Sequence, residues 1–323
     1  MSTIAVDAMG GDSAPEEVVK GAILAKKEGV DVILSGDENL IKSYLGNEKI
    51  PVINYPQVIS MDDDPAKAIR SNKDSSIIGA LNLVKEKKAD AVFSAGSTGA
   101  TLIGAISVLG QIKGVTRPTI ASVLPGKEKE VILVDSGANL EVKPKVLYQF
   151  AIMGSKLSEL LFDIENPRIG LINNGEESSK GRELEKATFK LLKSSQLNFI
   201  GNVEGKDFAN SKVDVFVTDG FTGNVVLKTL QGVAKLQQDL ISKSLKENLF
   251  RPLLIPVKNA ISPVKSMLNP NSTNGSYLLG VNGLVIIGHG SSNSEAIKNA
   301  LLFTSRAVEK RFINKFTEVS SEL

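Results

Sequence analysis

The chain has 323 residues, of which 42% are hydrophobic, and its 38 basic and 36 acidic side chains leave a net charge of +2. It contains no cysteine and one histidine, which excludes disulfides, a catalytic thiolate, thiolate metal sites and a multi-histidine metal centre. The nearly balanced charge is not typical of nucleic-acid-binding proteins. The start lacks signal-peptide features and no apolar run approaches the roughly 20 residues of a membrane span, so we expect a cytoplasmic protein.

Strands alternate with helices along the chain, which predicts an α/β fold with helices on both faces of one sheet. Strands are predicted at 4–7, 30–35, 52–54, 90–94, 119–124, 130–134, 169–172, 213–218 and 284–287, the fifth and sixth pairing around a Pro-Gly-Lys turn. Helices are predicted at 14–28, 40–45, 65–70, 77–87, 99–109, 145–161, 180–193, 232–247 and 295–315. No Pro/Ser-rich linker divides the chain, so we expect a single domain over 1–323 with an amphipathic excursion at about 232–270.

Five of the predicted strands end in loops rich in Gly, Ser, Thr, Asn and Asp. These loops follow the strands that end at Ser94, Val134, Ile172, Thr218 and Ile287. Ligands of open parallel sheets bind at the carboxyl ends of the strands. Five glycine-rich loops at one edge would present many backbone N–H groups, which suits an anion or a developing oxyanion. The alternative interpretation is that these residues only form turns.

Two segments carry groups that suit phosphate. The run Gly96, Ser97, Thr98 and Gly99 leads into a helix, where backbone amides and hydroxyls can bind an anion, or where Ser97 or Thr98 simply caps the helix. Arg70 and Lys73 add cationic groups, for which a solvated surface is the alternative interpretation.

His289, between two glycines after a predicted buried strand, is a candidate acid or hydrogen-bond donor. The amides of Asn139 and Asn224 are candidates to polarise a carbonyl. Turn or structural roles remain the alternative for all three residues. The remaining residues predicted to lie in site loops are Asp7, Gly10, Gly11, Asp12, Asp135, Asn174, Asp219 and Asn282. The loop after Asp7 lacks the Gly-x-Gly-x-x-Gly spacing of a dinucleotide site, and no acidic cluster has metal-ligand spacing, so neither a cofactor nor a metal is expected.

Two further segments suggest surfaces for partners. Arg182, Lys186 and Lys190 are spaced four apart and form one basic face of a helix, a candidate dock for an acidic protein or else a solvated face. Residues 249–270 contain no Asp or Glu and combine apolar side chains with three basic ones. That pattern fits an anionic membrane surface, a dimer interface or core packing.

The chain resembles the PlsX family of phosphate acyltransferases over nearly its whole length. Seven segments carry the resemblance in the same order: 6–12, 66–76, 94–100, 135–139, 173–177, 219–224 and 279–292. The sequence departs from the family pattern at Gly275-Ser276-Tyr277, where Gly-Ala-Pro is expected, and at Asn72, where a basic residue is common.

The resemblance implies transfer of a fatty acyl group from acyl carrier protein to inorganic phosphate, giving acyl phosphate for phospholipid synthesis. It also implies a three-layer α/β/α fold similar to the isocitrate and isopropylmalate dehydrogenases, a metal-independent homodimer, and peripheral attachment to the inner face of the cell membrane, where a glycerol-3-phosphate acyltransferase acts next. We expect direct attack of phosphate on the thioester; without cysteine, only a Ser or Thr acyl-enzyme remains as the covalent alternative. An NAD-dependent dehydrogenase and a non-enzymatic membrane scaffold are the other hypotheses.

Overall fold

A computed structural model describes residues 2–210, 212–247 and 275–321. Its strands are β1 (Thr3–Asp7), β2 (Asp31–Gly36), β3 (Val52–Asn54), β4 (Ala91–Ser94), β5 (Thr119–Leu124), β6 (Val131–Val134), β7 (Ile169–Ile172), β8 (Phe199–Val203), β9 (Val215–Val217), β10 (Ser276–Leu279) and β11 (Leu284–Ile287). Its helices are α1 (Glu16–Lys27), α2 (Glu38–Leu45), α3 (Pro65–Ser71), α4 (Ser76–Lys85), α5 (Thr98–Leu109), α6 (Pro144–Phe162), α7 (Glu183–Lys193), α8 (Gly220–Glu247), α9 (Ser294–Glu309) and α10 (Phe312–Phe316), with short 3₁₀ turns at Gly205–Asn210 and Thr317–Ser321.

All of these strands belong to one sheet in the order β3-β2-β1-β4-β11-β10-β5-β6-β9-β7-β8. Side chains alternate between its two faces, as the pleat requires. In β1, Ile4 and Val6 pack in the apolar cluster under α1, α6 and α9, whereas Ala5 packs in the cluster under α4 and α5. Helices therefore cover both faces, and the predicted α/β/α architecture is confirmed.

The sheet reverses direction in its middle. β10 is antiparallel to both of its neighbours, β11 and β5, and β5 is antiparallel to β6. The parallel strands β4 and β11 consequently point opposite to the parallel strands β6, β9 and β7. The expectation that five loops meet at one edge is wrong: the loops after β4 and β11 leave one edge of the sheet, and the loops after β6, β9 and β7 leave the other.

Several element boundaries differ from the sequence expectation. The strands β8 and β10 are additional, and α8 begins at Gly220 rather than at residue 232. The expected helix over 295–315 is interrupted at Arg311, whose φ of 55° is left-handed and ends α9. The predicted excursion at about 232–270 begins inside α8, and its residues 248–270 lie outside the described part of the chain.

Candidate active site

A cavity of about 330 Å³, called the central cavity below, lies over the antiparallel strands β5 and β10 near the polar loops. It is lined by Thr98, Ile120, Ser122, Val123, Leu124, Ser136, Gly137, Asn224, Leu227, Lys228, Gln231, Gly275, Ser276, Ile287, Gly288 and His289. Loops from both edges of the sheet reach it, because the face of the reversed strands lies between them. Three residues predicted for the site, Thr98, Asn224 and His289, meet here from distant segments.

The N-terminus of α5 contributes one wall of the central cavity. Ser97 is the N-cap and accepts a hydrogen bond from the Ala100 N–H at 3.4 Å, so the hydroxyl serves the capping role foreseen as its alternative. Exposed Thr98 faces the central cavity, while Gly99 packs against Pro65 of α3. The backbone of Gly96 lies against Gly10: a Cβ on Gly10 would come within 2.8 Å of the Gly96 nitrogen, so the two loops require glycine there.

A second, smaller cavity lies beside the same helix and has a volume of about 10 Å³, room for one water molecule. Asp7, Gly10, Gly96 and Ser97 are among its lining residues. Asp7 is buried, its Oδ2 accepts a hydrogen bond from Ser94 Oγ at 2.7 Å, and its Oδ1 has no partner within the described ranges. Burial raises the pKa of the Asp7 carboxyl. The predicted phosphate segment is thus divided between two cavities.

His289 lies at the carboxyl end of β11, exposed to the central cavity. Its Nε2 is 3.3 Å from the Lys228 ammonium, and its Nδ1 is 2.9 Å from Ser291 Oγ. The Asp12 N–H donates to the Gly290 carbonyl at 2.8 Å, which fixes the His289 loop on the β1–α1 loop. Partial burial, then the positive charge of Lys228, lower the pKa of the His289 imidazole, while the carboxylate of Asp12 opposes them. Burial and the neighbouring ammonium therefore favour the neutral ring over an imidazolium that could act as a general acid.

Helix α8 brings Asn224 and Lys228 to the cavity, because the two residues are one turn apart on the same face. Asp219 begins the helix: its Oδ1 accepts a hydrogen bond from the Thr222 N–H at 2.8 Å. Its Oδ2 bonds Arg182, which also binds Glu185. Asp219 is therefore a buried capping residue and does not line the cavity.

The loop after β6 is organised around buried Asp135. Its Oδ1 accepts from the N–H groups of Gly137 and Ala138 at 2.9 Å each, and its Oδ2 accepts from both the backbone N–H and the side-chain amide of Asn139 at 2.8 Å. Burial raises the pKa of the Asp135 carboxyl despite these donors. The Asn139 amide also donates to the Pro118 carbonyl at 2.9 Å, so it holds the loop and does not reach the central cavity.

Three serine hydroxyls form a chain along the floor of the cavity. Ser122 Oγ donates to Ser136 Oγ at 2.8 Å, and Ser136 Oγ donates to the Ile120 carbonyl at 3.2 Å. Ser276 Oγ lies 2.8 Å from Ser122 Oγ and must donate to it, since the Ser122 proton is already committed. These three hydroxyls can still accept hydrogen bonds, but none of them has a basic side chain among these partners that would activate it as a nucleophile.

The other predicted residues lie outside the central cavity. Arg70 and Lys73 are exposed on and after α3, and Asn174 is exposed beyond β7. Asn282 precedes β11, at the opposite end of that strand from His289. Its side-chain amide donates hydrogen bonds to the carbonyls of Leu109 and Gln111. Gly11 adopts a φ of 120° in the tight β1–α1 turn. For Arg70, Lys73, Asn174 and Asn282 the geometry therefore favours surface or turn roles.

Lys228, Ser122 and Ser276 line the cavity and were not predicted. The signal for Lys228 was Asp219-Gly220, a capping residue before a helix, which places Asn224, Lys228 and Gln231 on one face. Ser122 and Ser276 are polar positions in otherwise apolar strands, which marks a polar floor under a cavity.

Over the described ranges, no group of three or more His, Asp and Glu side chains is arranged to hold a metal ion. None of the helices in those ranges is long and apolar enough to cross a lipid bilayer.

Comparison with known structures supports the fold. A phosphotransacetylase from Streptococcus pyogenes has a TM-score of 0.60 at 18% identity, covering 95% of this chain and 94% of that one. A 4-hydroxythreonine-4-phosphate dehydrogenase from Klebsiella pneumoniae has a TM-score of 0.55 at 13% identity, covering 94% and 98%. At these identities the likeness concerns the fold, which transferases and dehydrogenases share.

Sequence comparison gives the family. Residues 2–315 match the profile described as fatty acid synthesis protein. A phosphate acyltransferase of Halothermothrix orenii is 43% identical over 320 residues, covering 96% of each chain. A phosphate acyltransferase of Desulfitobacterium hafniense strain DCB-2 is 45% identical over 327 residues, covering 99% of this chain and 97% of that one. The resemblance seen in the seven segments is thereby confirmed, and the chain belongs to the PlsX phosphate acyltransferase family of enzymes.

Proposed function

We propose that this enzyme transfers a long-chain fatty acyl group from acyl-acyl carrier protein to inorganic phosphate in the central cavity, giving acyl phosphate for phosphatidic acid synthesis. The observation that carries the proposal is the convergence of Thr98, Asn224 and His289 on one cavity whose described lining contains no carboxylate. Such a lining suits an anionic acceptor and an oxyanion. Family membership favours acyl transfer over the dehydrogenase and scaffold alternatives.

The chemistry needs little more than positioning and charge stabilisation. A phosphate oxygen attacks the thioester carbonyl, the new C–O bond forms, the carbonyl carries negative charge in the tetrahedral intermediate, and the C–S bond breaks to release the carrier thiolate. We assign phosphate to the side of Thr98, at the amide-rich start of α5. The Asn224 amide is the candidate donor to the developing oxyanion.

Part of the described lining of the central cavity is apolar and suits the alkyl chain. The apolar lining residues are Ile120, Val123, Leu124, Leu227 and Ile287. Hydrocarbon removed from water there contributes about 25 cal/mol per Å² of buried area. These side chains support a fatty rather than a short polar acyl donor.

We place the carrier-protein dock on α7. A groove of about 990 Å³ is lined by Lys186, Lys190 and Lys193 together with Phe189 and Leu191, so it offers both charge and apolar contact to an acidic partner. Arg182, predicted as part of this face, is instead committed to Glu185 and Asp219. Lys186 pairs with Glu183, which also lines the groove, at 3.2 Å, so the proposed dock depends mainly on Lys190 and Lys193.

The dock is tested by reversing charge. Lys190→Glu is expected to raise the KM for acyl carrier protein about tenfold at low salt, and less at high salt, because the contact is electrostatic. Lys85→Glu, at an exposed position where the otherwise buried α4 ends, is the matched control. An unchanged KM at low salt for Lys190→Glu would remove the dock from α7.

We further propose a homodimer formed through α8. This helix is about 42 Å long at 1.5 Å per residue and presents a stripe of exposed apolar side chains, called the α8 stripe. Its members are Phe221, Val225, Val233, Leu236 and Leu240, which are 47–60% exposed. Water-exposed side chains of this size at helical spacing are typical of an interface.

Peripheral membrane association, at the inner face of the cell membrane beside a membrane-bound glycerol-3-phosphate acyltransferase, is the last part of the proposal. It depends on residues 249–270, whose sequence lacks acidic residues and which lie outside the described residues. Sedimentation with anionic liposomes tests it, with neutral liposomes as the control.

The reaction itself is tested by mixing the enzyme with palmitoyl-acyl carrier protein and radiolabelled phosphate and extracting with organic solvent. Enzyme-dependent label in an acyl phosphate is the expected result. Folded enzyme and intact donor without labelled product would overturn the proposal, and an absorbance or fluorescence change with NAD would then favour the dehydrogenase hypothesis.

A further inference from the structure

The central cavity has one positively charged side chain, Lys228, among its described lining residues. The Lys228 ammonium contacts Gln231 Oε1 and His289 Nε2, each at 3.3 Å. Within the described ranges it forms no ion pair with a carboxylate. Because no acidic residue is among the described lining residues, the charge of Lys228 is available for an anionic ligand.

The contact between Lys228 and His289 restrains the imidazole. A lysine ammonium only donates hydrogen bonds, so it favours a neutral ring that accepts at Nε2. At the other ring nitrogen, the Ser291 N–H points to Nδ1 at 3.3 Å and Ser291 Oγ lies 2.9 Å from it, so both nitrogens of the ring are held by neighbours. An imidazolium would place a second positive charge against Lys228. His289 is thus a neutral partner that orients the lysine through Nε2, and Asp12 is the nearby carboxylate whose charge opposes the lowered pKa of the imidazole.

We propose that Lys228 binds the acceptor phosphate in the central cavity and that His289 acts as the positioning residue for its ammonium group. The inference rests on the proposed function, because it takes phosphate as the acceptor. The cavity offers phosphate two complementary groups: the ammonium of Lys228 on α8 and the backbone amides at the start of α5 beside Thr98. Asn224, one turn before Lys228, stays available for the carbonyl of the donor.

The single histidine permits a direct binding test. Nitrogen-15 labelling of histidine gives NMR signals from His289 alone, provided that the protein carries no histidine tag. We expect a titration midpoint below 6.5, the ordinary histidine value. Inorganic phosphate is expected to raise the midpoint, because it offsets the charge of Lys228. Lys228→Met should raise the midpoint without phosphate and remove the response to phosphate, whereas Lys235→Met on the same helix should do neither.

Kinetics provide the second measurement. Lys228→Met is expected to raise the KM for phosphate about 10- to 100-fold, the scale of a lost charge-assisted hydrogen bond, and to leave the KM for the acyl donor within about twofold. Lys228→Arg should recover part of the loss. His289→Gln, whose side-chain oxygen still accepts from Lys228, should keep a lower phosphate KM than His289→Ala.

The outcomes separate this inference from the proposed function. An active wild-type enzyme whose phosphate KM is unchanged by Lys228→Met, or whose His289 signals ignore phosphate, would overturn the role of Lys228. A phosphate response of His289 that depends on Lys228, in a protein that makes no acyl phosphate, would support the binding site and overturn the reaction.

Discussion

His289 illustrates how neighbours decide what a side chain can do in catalysis. Because its lowered pKa keeps the ring neutral, its function should require pH above that pKa and fail only as pH falls below it. We predict that the acid limb of kcat/KM lies below pH 6.5 in the wild type and moves upward in Lys228→Met, where the repelling charge is gone. His289→Ala should lower kcat/KM for phosphate by no more than the about 10- to 100-fold expected for Lys228→Met, because His289 acts through that lysine. Steady-state rates between pH 5 and 8 test this, and a wild-type phosphate KM and turnover in His289→Ala would remove the positioning role.

The pair of Ser291 and His289 resembles a nucleophile with its base, but its electrostatics oppose that role. Taking the Ser291 proton would turn His289 into an imidazolium facing the Lys228 ammonium. We therefore predict direct transfer without an acyl-enzyme: Ser291→Ala should keep at least about a third of wild-type kcat, on the scale of one weak neutral hydrogen bond. Mass spectrometry after incubation with the acyl donor alone should find no acylated serine or threonine, and a trapped adduct would contradict this prediction.

For single residues, sequence patterns indicate which loops reach the central cavity, but they do not indicate what each side chain does there. Thr98 and His289, predicted for the site from glycine-rich strand ends, both line the central cavity, because a short loop after a buried strand stays close to the end of that strand. Asn and Asp side chains often bind ligands, but here the Asn139 amide donates to the Pro118 carbonyl and the Asp219 carboxylate caps α8. Only the folded hydrogen-bond network distinguishes these cases.

At the scale of elements, the start of α8 sets the position of two cavity residues. Asp219 caps the helix and binds Arg182, so Asp219→Ala should lower the free energy of unfolding by about 1–2 kcal/mol and also displace Asn224 and Lys228. We predict a lower Tm together with at least a tenfold lower kcat/KM. Asp37→Ala removes the cap of α2, where Asp37 Oδ1 accepts from the Leu40 N–H at 3.0 Å, and is the control. Equal activity losses in the two variants would mean that stability alone explains the effect.

Apolar runs predicted the strands that are buried on both sides, since such strands read as continuous hydrophobic segments. The strand β8 was not foreseen, and its residues Phe199 and Ile200 are only partly buried at an edge of the sheet. The strand β10 has only four residues, which is too short for a clear strand pattern in the sequence. The sequence predicts the start of α8 at residue 232 rather than at Gly220, because Gly220 and Gly223 are typical of a loop. In the structure Gly223 belongs to the helix and packs directly against Asp135.

At the scale of the whole molecule, strand direction decides how the site is built. Sequence alternation of strands and helices indicates a sheet but gives no direction for strands that are joined by long connections. Because β10 and β5 reverse the sheet, the cavity lies on a face with loops entering from two edges, rather than along one edge. The polar loops were therefore predicted, and their arrangement around a central face was not.

The homodimer is the prediction that belongs to the whole molecule, and the α8 stripe is its basis. In a two-fold dimer each stripe residue occurs in both copies of the interface. Losing one leucine from both copies therefore makes the free energy of association less favourable by about 3–6 kcal/mol, which weakens association at least about 100-fold. Leu236→Glu and Leu240→Glu are therefore expected to be monomers in sedimentation velocity at micromolar concentration, where the wild type is a dimer. Ser242→Glu adds the same charge on another side of the helix and should stay dimeric. A wild-type monomer, or a dimer that survives both leucine substitutions, would contradict an interface on α8.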